Sequence, residues 1–200
     1  MDQKTIQTYN QMAKEYDDET IDFWQRFPRT FFDKFAELVQ GKILDVGSGP
    51  GRAGLLLKEK GLEVICLDAS EAMVKLCEEK GLQSMVGDFI SMPFDGNSFD
   101  GAWAYTSLLH IPKTDVSKAF NEIRRTLKDD GILGLGLIEG EKEEYRESSG
   151  VNMPRWFSFY TKEEVETLLE KHNFKVLYFE QFKPRSKNYL NFIAQKLPHN

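Results

Sequence analysis

Four glycines, Gly47, Gly49, Gly51 and Gly54, crowd the stretch "KILDVGSGPGRAG" directly after a short apolar run. A strand that ends in a glycine turn lets the backbone approach a ligand, and a following helix offers free N–H groups at its N-terminus. Such a loop can meet the pyrophosphate of a dinucleotide or the carboxylate of an amino-acid-like ligand. From Gly49 the stretch spells G-x-G-x-x-G, but that first glycine falls four residues after Asp45 rather than at the strand end. Asp45 itself bears on the choice. A carboxylate just before the loop repels phosphate and suits a ligand that carries an ammonium and a sulfonium. Asp68 closes the next apolar run, where an acidic residue binds ribose hydroxyls under either reading. "GDF" at 87–89 offers a carboxylate for an exocyclic amine and a ring for a base, and "FDGAWAYTSLLHIP" at 99–112 carries His110.

The elements that must position these groups follow from periodicity. Ile6, Tyr9, Ala13 and Tyr16 recur at helical spacing, and a second helical pattern carries Trp24, Phe27, Phe31, Phe35 and Leu38, with Pro28 as a break or helix start. That aromatic stripe either packs on the domain or closes over a ligand. From Lys42 the rhythm alternates. Strands are expected at "KILDV", "LEVICLD", "LQSMVG", "SFDGAWAY" and "GILGLGLIE"; helices are expected at 51–60, over "SEAMVKLCEEK" with Ser70 as N-cap, and at 114–128. This pattern predicts an α/β fold, a doubly wound parallel sheet with helices on both faces and ligands beyond the strands' carboxyl ends. "GEKEEYRESSGVNMPRWF" reads as charged and turn-rich. A helix at 161–172 follows, with Thr161 and Glu164 as a capping box, and then two strands, "FKVLYFEQF" and "NYLNFIAQK", paired antiparallel.

Composition narrows the function. Two hundred residues, 40% of them hydrophobic, fit one domain with or without a lid. Its parts are a helical N-terminal segment at 1–40, a core at 41–140, and a substrate-side loop with the terminal hairpin at 141–200. A net charge of −6 argues against a protein built to neutralise phosphates along a duplex. Cys66 and Cys77 form no CxxC, so buried thiols in a reducing compartment are expected, and no metal site. No apolar run approaches membrane-spanning length and the polar N-terminus lacks a signal peptide's apolar core, so a soluble, cytoplasmic protein with no membrane partner is expected.

Taken in order and spacing, "LDVGSGPG", "LDAS" with Met73, "GDF", "FD" and "LLH" make the chain resemble the class I S-adenosylmethionine-dependent methyltransferases, in particular the small methyltransferase-domain proteins. The resemblance is close over residues 40–140 and looser to the C-terminal hairpin. It implies a Rossmann-like, seven-stranded, mostly parallel sheet with an antiparallel terminal strand, S-adenosylmethionine as cofactor and S-adenosylhomocysteine as product. It also implies roles. Gly47, Gly49 and Gly51 pass under the methionine part, and Asp45 sits near its amino group. Asp68 binds the ribose diol, while Ala69 and Met73 line the adenine. Asp88 accepts from the adenine amine, with Phe89 beside it. Ala104 and Tyr105 flank the sulfonium, and the N-terminal helix closes over the cofactor with Tyr9 and Tyr16.

The methyl acceptor stays open. His110 and Tyr105 are the candidate catalytic residues, and His110 is either a general base or a structural histidine. Tyr145, Arg155 and Tyr160 could reach a substrate; Arg146 and Arg155, if they face the pocket, point to a carboxylate-bearing one. The fourth strand ends in "WAYTS" rather than the Asn/Asp-Pro-Pro-Tyr run of DNA amino-methylating enzymes, and neither cysteine follows a proline. A small molecule is therefore expected, and no nucleic acid. The basic residues Lys183, Arg185, Lys187 and Lys196 read as a solvated edge of the hairpin. Two alternatives remain at this point: an NAD(P)-dependent oxidoreductase using the glycine loop, and a non-catalytic S-adenosylmethionine-binding partner subunit.

Overall fold

The structure is a computed structural model that describes residues 2–148 and 151–198. Helix α1 (Gln3–Arg26) is capped by Asp2, whose carboxylate accepts the Thr5 N–H at 2.8 Å. Its backbone leaves helical geometry at Met12 (φ −117°, ψ 20°), which kinks it between Tyr9 and Tyr16. Pro28 separates α1 from α2 (Arg29–Leu38), as its fixed φ and missing donor predict. The alternating core follows: β1 (Lys42–Val46), α3 (Arg52–Glu59), β2 (Glu63–Asp68), α4 (Glu71–Glu79), β3 (Gln83–Val86) and β4 (Phe99–Tyr105). A one-turn 3-10 helix at Leu108–His110 leads to α5 (Val116–Thr126) and β5 (Leu127–Ile138). Then come β6 (Glu143–Ser148), β7 (Val151–Ser158), α6 (Lys162–Lys171), β8 (Phe174–Phe182) and β9 (Tyr189–Lys196).

Among the described residues seven strands form one sheet in the order β3-β2-β1-β4-β5-β9-β8. All neighbours are parallel except those of β9, which runs antiparallel to both β5 and β8. The α/β expectation holds: the sheet is Rossmann-like, with helices around it and the last strand antiparallel. Strand order reverses between β1 and β4, and the glycine loop leaves β1 at that switch point, where ligands of such sheets bind.

Two local expectations are corrected. β5 begins at Leu127, four residues before the "GILG" run: Leu127 pairs with Phe99, and the register with β4 then shifts between Phe99 and Gly101, where Asp130 adopts a left-handed φ of 63°. The charged segment after β5 is not irregular. It folds as the antiparallel pair β6–β7, with Tyr145 opposite Trp156 and their ring centroids 5.1 Å apart. Such cross-strand aromatic pairs stabilise a ribbon by roughly 0.2–1 kcal/mol. Ser149 and Gly150 lie outside the described residues.

The core centres on Trp103 of β4. Phe31, Phe32 and Phe35 of α2 surround it at centroid distances of 5.2, 5.5 and 4.9 Å. All four side chains are fully buried, and each phenylalanine contributes roughly 1.5–3 kcal/mol by burial. A Cβ at Gly134 on the neighbouring strand would lie 2.5 Å from the indole, which explains a glycine in mid-strand. The second half of the N-terminal aromatic stripe thus belongs to the main core. Tyr9 and Ala13 of α1 form a separate cluster with Met73 of α4. Cys66 and Cys77 are buried free thiols. Among the described residues no helix is long and apolar enough to cross a membrane, and no cluster of metal-ligating side chains occurs.

Candidate active site

The glycine loop is built from left-handed backbone. Gly47, Gly49 and Gly51 have φ values of 68°, 53° and 81°, a region that favours glycine. A Cβ on Gly47 would lie 2.3 Å from the Ser107 Cβ, so the bare backbone also makes room for the loop after β4. The Gly47 and Ser48 N–H groups donate to the Leu67 carbonyl at 2.7 and 3.0 Å, fastening the loop to the end of β2. Asp68 accepts the Gly49 N–H at 2.8 Å on one oxygen and the Ser70 N–H at 2.9 Å on the other. Burial raises its pKa to about 6, against the opposing pull of these N–H groups. Asp45 lies deeper. Burial and the neighbouring Asp68 charge raise it to about 8, and its Oδ2 is buried with no hydrogen-bond partner.

Helix α1 lies across this loop and is fastened on several sides. Asn10 Oδ1 accepts from the Ser70 hydroxyl at 2.7 Å and the Ala72 N–H at 3.2 Å. The Asp17 carboxylate bridges Arg52 at 2.6 Å and Lys80 at 2.9 Å. On the other flank the Thr8 hydroxyl donates to the Pro154 carbonyl at 2.9 Å, and the Thr5 hydroxyl accepts the Trp156 N–H at 2.9 Å.

His110 joins α1 to β7. Its Nδ1 is 2.6 Å from the Trp156 carbonyl, which can only accept, so the proton is assigned to Nδ1. Nε2 is then the acceptor, and the Tyr9 hydroxyl donates to it at 2.7 Å. The Tyr9 oxygen in turn accepts from Arg155 Nη1 at 2.9 Å. The Arg155 guanidinium also faces the rings of Tyr9, Tyr16 and Phe157 at 5.2, 5.6 and 5.3 Å. Burial, and then the Arg155 charge, push His110 down to about 3. It is therefore neutral across the physiological range, with its lone pair already engaged.

Two cavities meet here. The smaller, about 60 Å³, lies over the glycine loop; its lining includes Tyr9, Tyr16, Gly47, Gly49, Asp68, Met73, Phe89, Tyr105 and His110 from the sequence-derived set. The larger, about 440 Å³, extends toward β7 and the β8–β9 loop. Tyr9, Tyr16, Trp24, Thr106 and His110 line both. Asp45 and Ala104 are buried behind the lining, and Gly51 caps α3 against Leu82 and Cys77. Ala69 and Asp88 are partly buried outside it, with Asp88 accepting the Ile90 N–H at 3.1 Å. Tyr105 lies ring-parallel to Trp103 and Tyr189, and burial raises its phenol well above the usual range. Arg155 does face the larger cavity, whereas Tyr145 is exposed and donates to Asp2 at 2.6 Å. Sequence reasoning missed Ser48, Arg52, Thr106 and Ser107. Thr106 is a β-branched residue with φ 55°, a conformation that costs energy and concentrates at functional sites. No pattern in the sequence announces it.

Known proteins share this fold. A methyltransferase-domain family model matches residues 44–135, from β1 to within β5. An uncharacterized methyltransferase of Staphylococcus carnosus is 29% identical over 164 residues, covering 82% of this chain and 73% of that protein. A sterol 24-C-methyltransferase of Gibberella zeae is 38% identical over 103 residues, covering 47% of this chain and 27% of its own length, so the match spans only about a quarter of that enzyme. In fold, the chain matches a 1,6-didemethyltoxoflavin-N1-methyltransferase of Burkholderia thailandensis with a TM-score of 0.72 at 18% identity, over 96% of this chain and 88% of that one. The core from β1 into β5 is thus similar to a methyltransferase domain, and the whole chain shares the fold of S-adenosylmethionine-dependent methyltransferases.

Proposed function

We propose that this enzyme, working in a reducing cytoplasm, methylates a small molecule held in the larger cavity. The observation that carries the reading is the junction of the two cavities at Tyr9, Tyr16, Trp24, Thr106 and His110. One cavity abuts the glycine loop and the other is of ordinary ligand size, against ~300–1,000 Å³ for small-molecule sites. When bound, S-adenosylmethionine supplies an electrophilic methyl group and leaves as S-adenosylhomocysteine.

The residues present fit that cofactor. The orphaned Asp45 oxygen and its raised pKa call for a cation beneath the loop, which is the place of the ammonium. Each Asp68 oxygen uses one lone pair on the backbone and keeps another for a ribose hydroxyl. Gly47 and Gly49 present bare backbone, with Met73 and Phe89 as apolar walls. Ala69 and Asp88 are assigned to the adenine edge, and Ala104 supports the end of β4. The cavity over the loop is far smaller than a ligand of this size, because Tyr9 and Tyr16 stand in it. Helix α1 is therefore a lid that must shift for the cofactor to seat, and its kink at Met12 gives it a hinge.

We read His110 as a strut that orders Tyr9, rather than as a base. Catalysis then rests on alignment in a dry aromatic site, with Tyr105 holding the shape of the wall. Calorimetry with S-adenosylhomocysteine and with NADH tests the cofactor, and turnover across a metabolite library tests the acceptor. Binding of NADH alone would overturn the reading.

A further inference from the structure

Helix α1 is held in two different ways on either side of its Met12 kink. Before the kink, Thr5, Thr8 and Asn10 make neutral hydrogen bonds to β7 and to the start of α4. Such bonds are directional and fix the segment in one place. Beyond the kink, among the described residues, every polar contact from α1 to the glycine loop, α3 or α4 runs through one residue, Asp17. Its carboxylate accepts from Arg52 Nε at 2.6 Å on one oxygen and from Lys80 Nζ at 2.9 Å on the other, and Arg52 Nη2 donates to its carbonyl at 3.2 Å. Both cations belong to the cofactor framework. Arg52 opens α3 and lines the cavity over the loop, while Lys80 ends α4 and also donates to the Pro50 carbonyl within the loop at 2.9 Å. The Asp17, Arg52 and Lys80 side chains are 12%, 25% and 21% exposed, so their attraction is screened less than that of an open surface pair, yet salt still reaches it. Asp17 directly follows Tyr16, whose ring meets Tyr9 edge-on at 5.2 Å and covers the loop so closely that a Cβ on Gly49 would lie 3.9 Å from its Cε1.

We propose that Asp17 is a positioning residue, the latch of the lid: acting through Arg52 and Lys80, it holds Tyr16 over the glycine loop and sets how fast S-adenosylmethionine enters and S-adenosylhomocysteine leaves. This rests on the cofactor and lid readings above and names the contact that governs them. The half of α1 beyond Met12 swings, and the half before it stays on β7 and α4. Ion pairs suit the swinging half. The flexible Lys80 stem and the Arg52 fork can part from the carboxylate and meet it again after a displacement that would leave neutral hydrogen bonds unmade. When the latch parts, the three charges gain water and counterions, which offset part of the lost attraction, so the open state is reachable at ordinary temperature. When it closes, Tyr16 returns to the cavity wall and water is shut out of the site. The latch acts on passage and not on the transfer itself, because Asp17 lines neither cavity.

Stopped-flow tryptophan fluorescence tests this with S-adenosylhomocysteine as the probe, since Trp24 lines both cavities. Rates are measured at about 0.05 M and about 0.5 M sodium chloride. The probe is a zwitterion without net charge, so salt hardly alters its encounter with the protein and acts instead on the latch. In the parent, association should quicken severalfold at the higher salt. Asp17→Asn should associate and dissociate severalfold faster than the parent at low salt, with a dissociation constant that moves much less than either rate, and should lose the salt response. Lys80→Gln, which removes one cation from the other side, should change the rates in the same direction by less. Asp17→Glu keeps the charge and should recover the salt response. A brace whose loss merely loosens the site would raise dissociation alone and weaken binding. That pattern, association in Asp17→Asn no faster than in the parent, or a parent rate indifferent to salt overturns the proposal. Failure of S-adenosylhomocysteine to bind the parent at either salt concentration would instead refute the cofactor reading, and the latch would fall with it.

Discussion

If His110 is a strut, acid should weaken the fold through it while leaving the chemical step untouched. The folded protein holds this imidazole neutral, with its pKa moved from 6.5 to about 3 by burial and by Arg155. An unfolded chain would protonate it near 6.5. Between those values the unfolded state binds the extra proton, so the stability is fully present above about pH 6.5 and is lost as pH falls toward 3. At ~1.4 kcal/mol per pH unit the whole displacement is worth up to about 5 kcal/mol, and about 2 kcal/mol of that disappears between pH 7.5 and pH 5. Asp45 and Asp68 act in the opposite sense. Their folded pKa values are raised to about 8 and about 6, so their contribution is present at low pH and lost as pH rises through those values. The measurement must therefore be a difference. Urea unfolding of the parent and of His110→Gln at both pH values should show the parent losing about 2 kcal/mol more than the variant. The variant should also be less stable at pH 7.5 by roughly 1–3 kcal/mol, from weakened hydrogen bonds to Tyr9 and Trp156. Single-turnover rates of the folded variant should stay within a few-fold of the parent. The reasoning fails if both proteins respond to pH alike, or if the variant's rate falls by the roughly 10²–10⁴-fold that loss of a general base costs.

Three further outcomes follow from the site. Asp68→Asn should weaken S-adenosylhomocysteine binding ten- to a hundredfold, from charge-assisted hydrogen bonds of about 1.5–3 kcal/mol each; an unchanged dissociation constant in the folded variant would make Asp68 structural. Binding at pH 7 should release protons from Asp45, so apparent heats should depend on the buffer's ionisation enthalpy and lose part of that dependence in Asp45→Asn; identical slopes for the two proteins would refute the ammonium assignment. Amide exchange across residues 2–20 should slow when S-adenosylhomocysteine binds, and equal exchange with and without it would mean that α1 is a fixed part of the wall.

The strands and the capped helices were legible because their signals are local. "KILDV" and "FKVLYFEQF" match β1 and β8 residue for residue, Ser70 caps α4, and Thr161 with Glu164 forms the capping box of α6. The β6–β7 pair was not legible, since β6 is mostly charged and β7 contains Pro154, which argues against a strand in the sequence. The site divided along the same line. Glycines and acidic strand ends announce themselves through conformational need, and they line the cavity or lie just beneath it. The occupied lone pair of His110 depends on Tyr9, 101 residues away in the chain, and no spacing rule reaches that far. Lys187 read as a solvated charge from its basic neighbours, yet it lines the larger cavity because the β8–β9 loop turns inward there.

Strand β9 follows every other strand in the chain, yet it lies between two that are made before it. During synthesis β5 can join β4 as soon as residue 138 emerges, but its far edge stays open while the next five dozen or so residues are made. β8 cannot wait in its final place, because among the described residues its only neighbour in the sheet is β9. The nascent protein therefore carries an unpaired apolar edge, "GILGLGLI", until about residue 196 clears the ribosome. An exposed edge of that kind recruits other strands. It makes this half of the sheet the segment that depends most on fast completion or on a chaperone, and a chain stopped before Tyr189 the form most prone to aggregate.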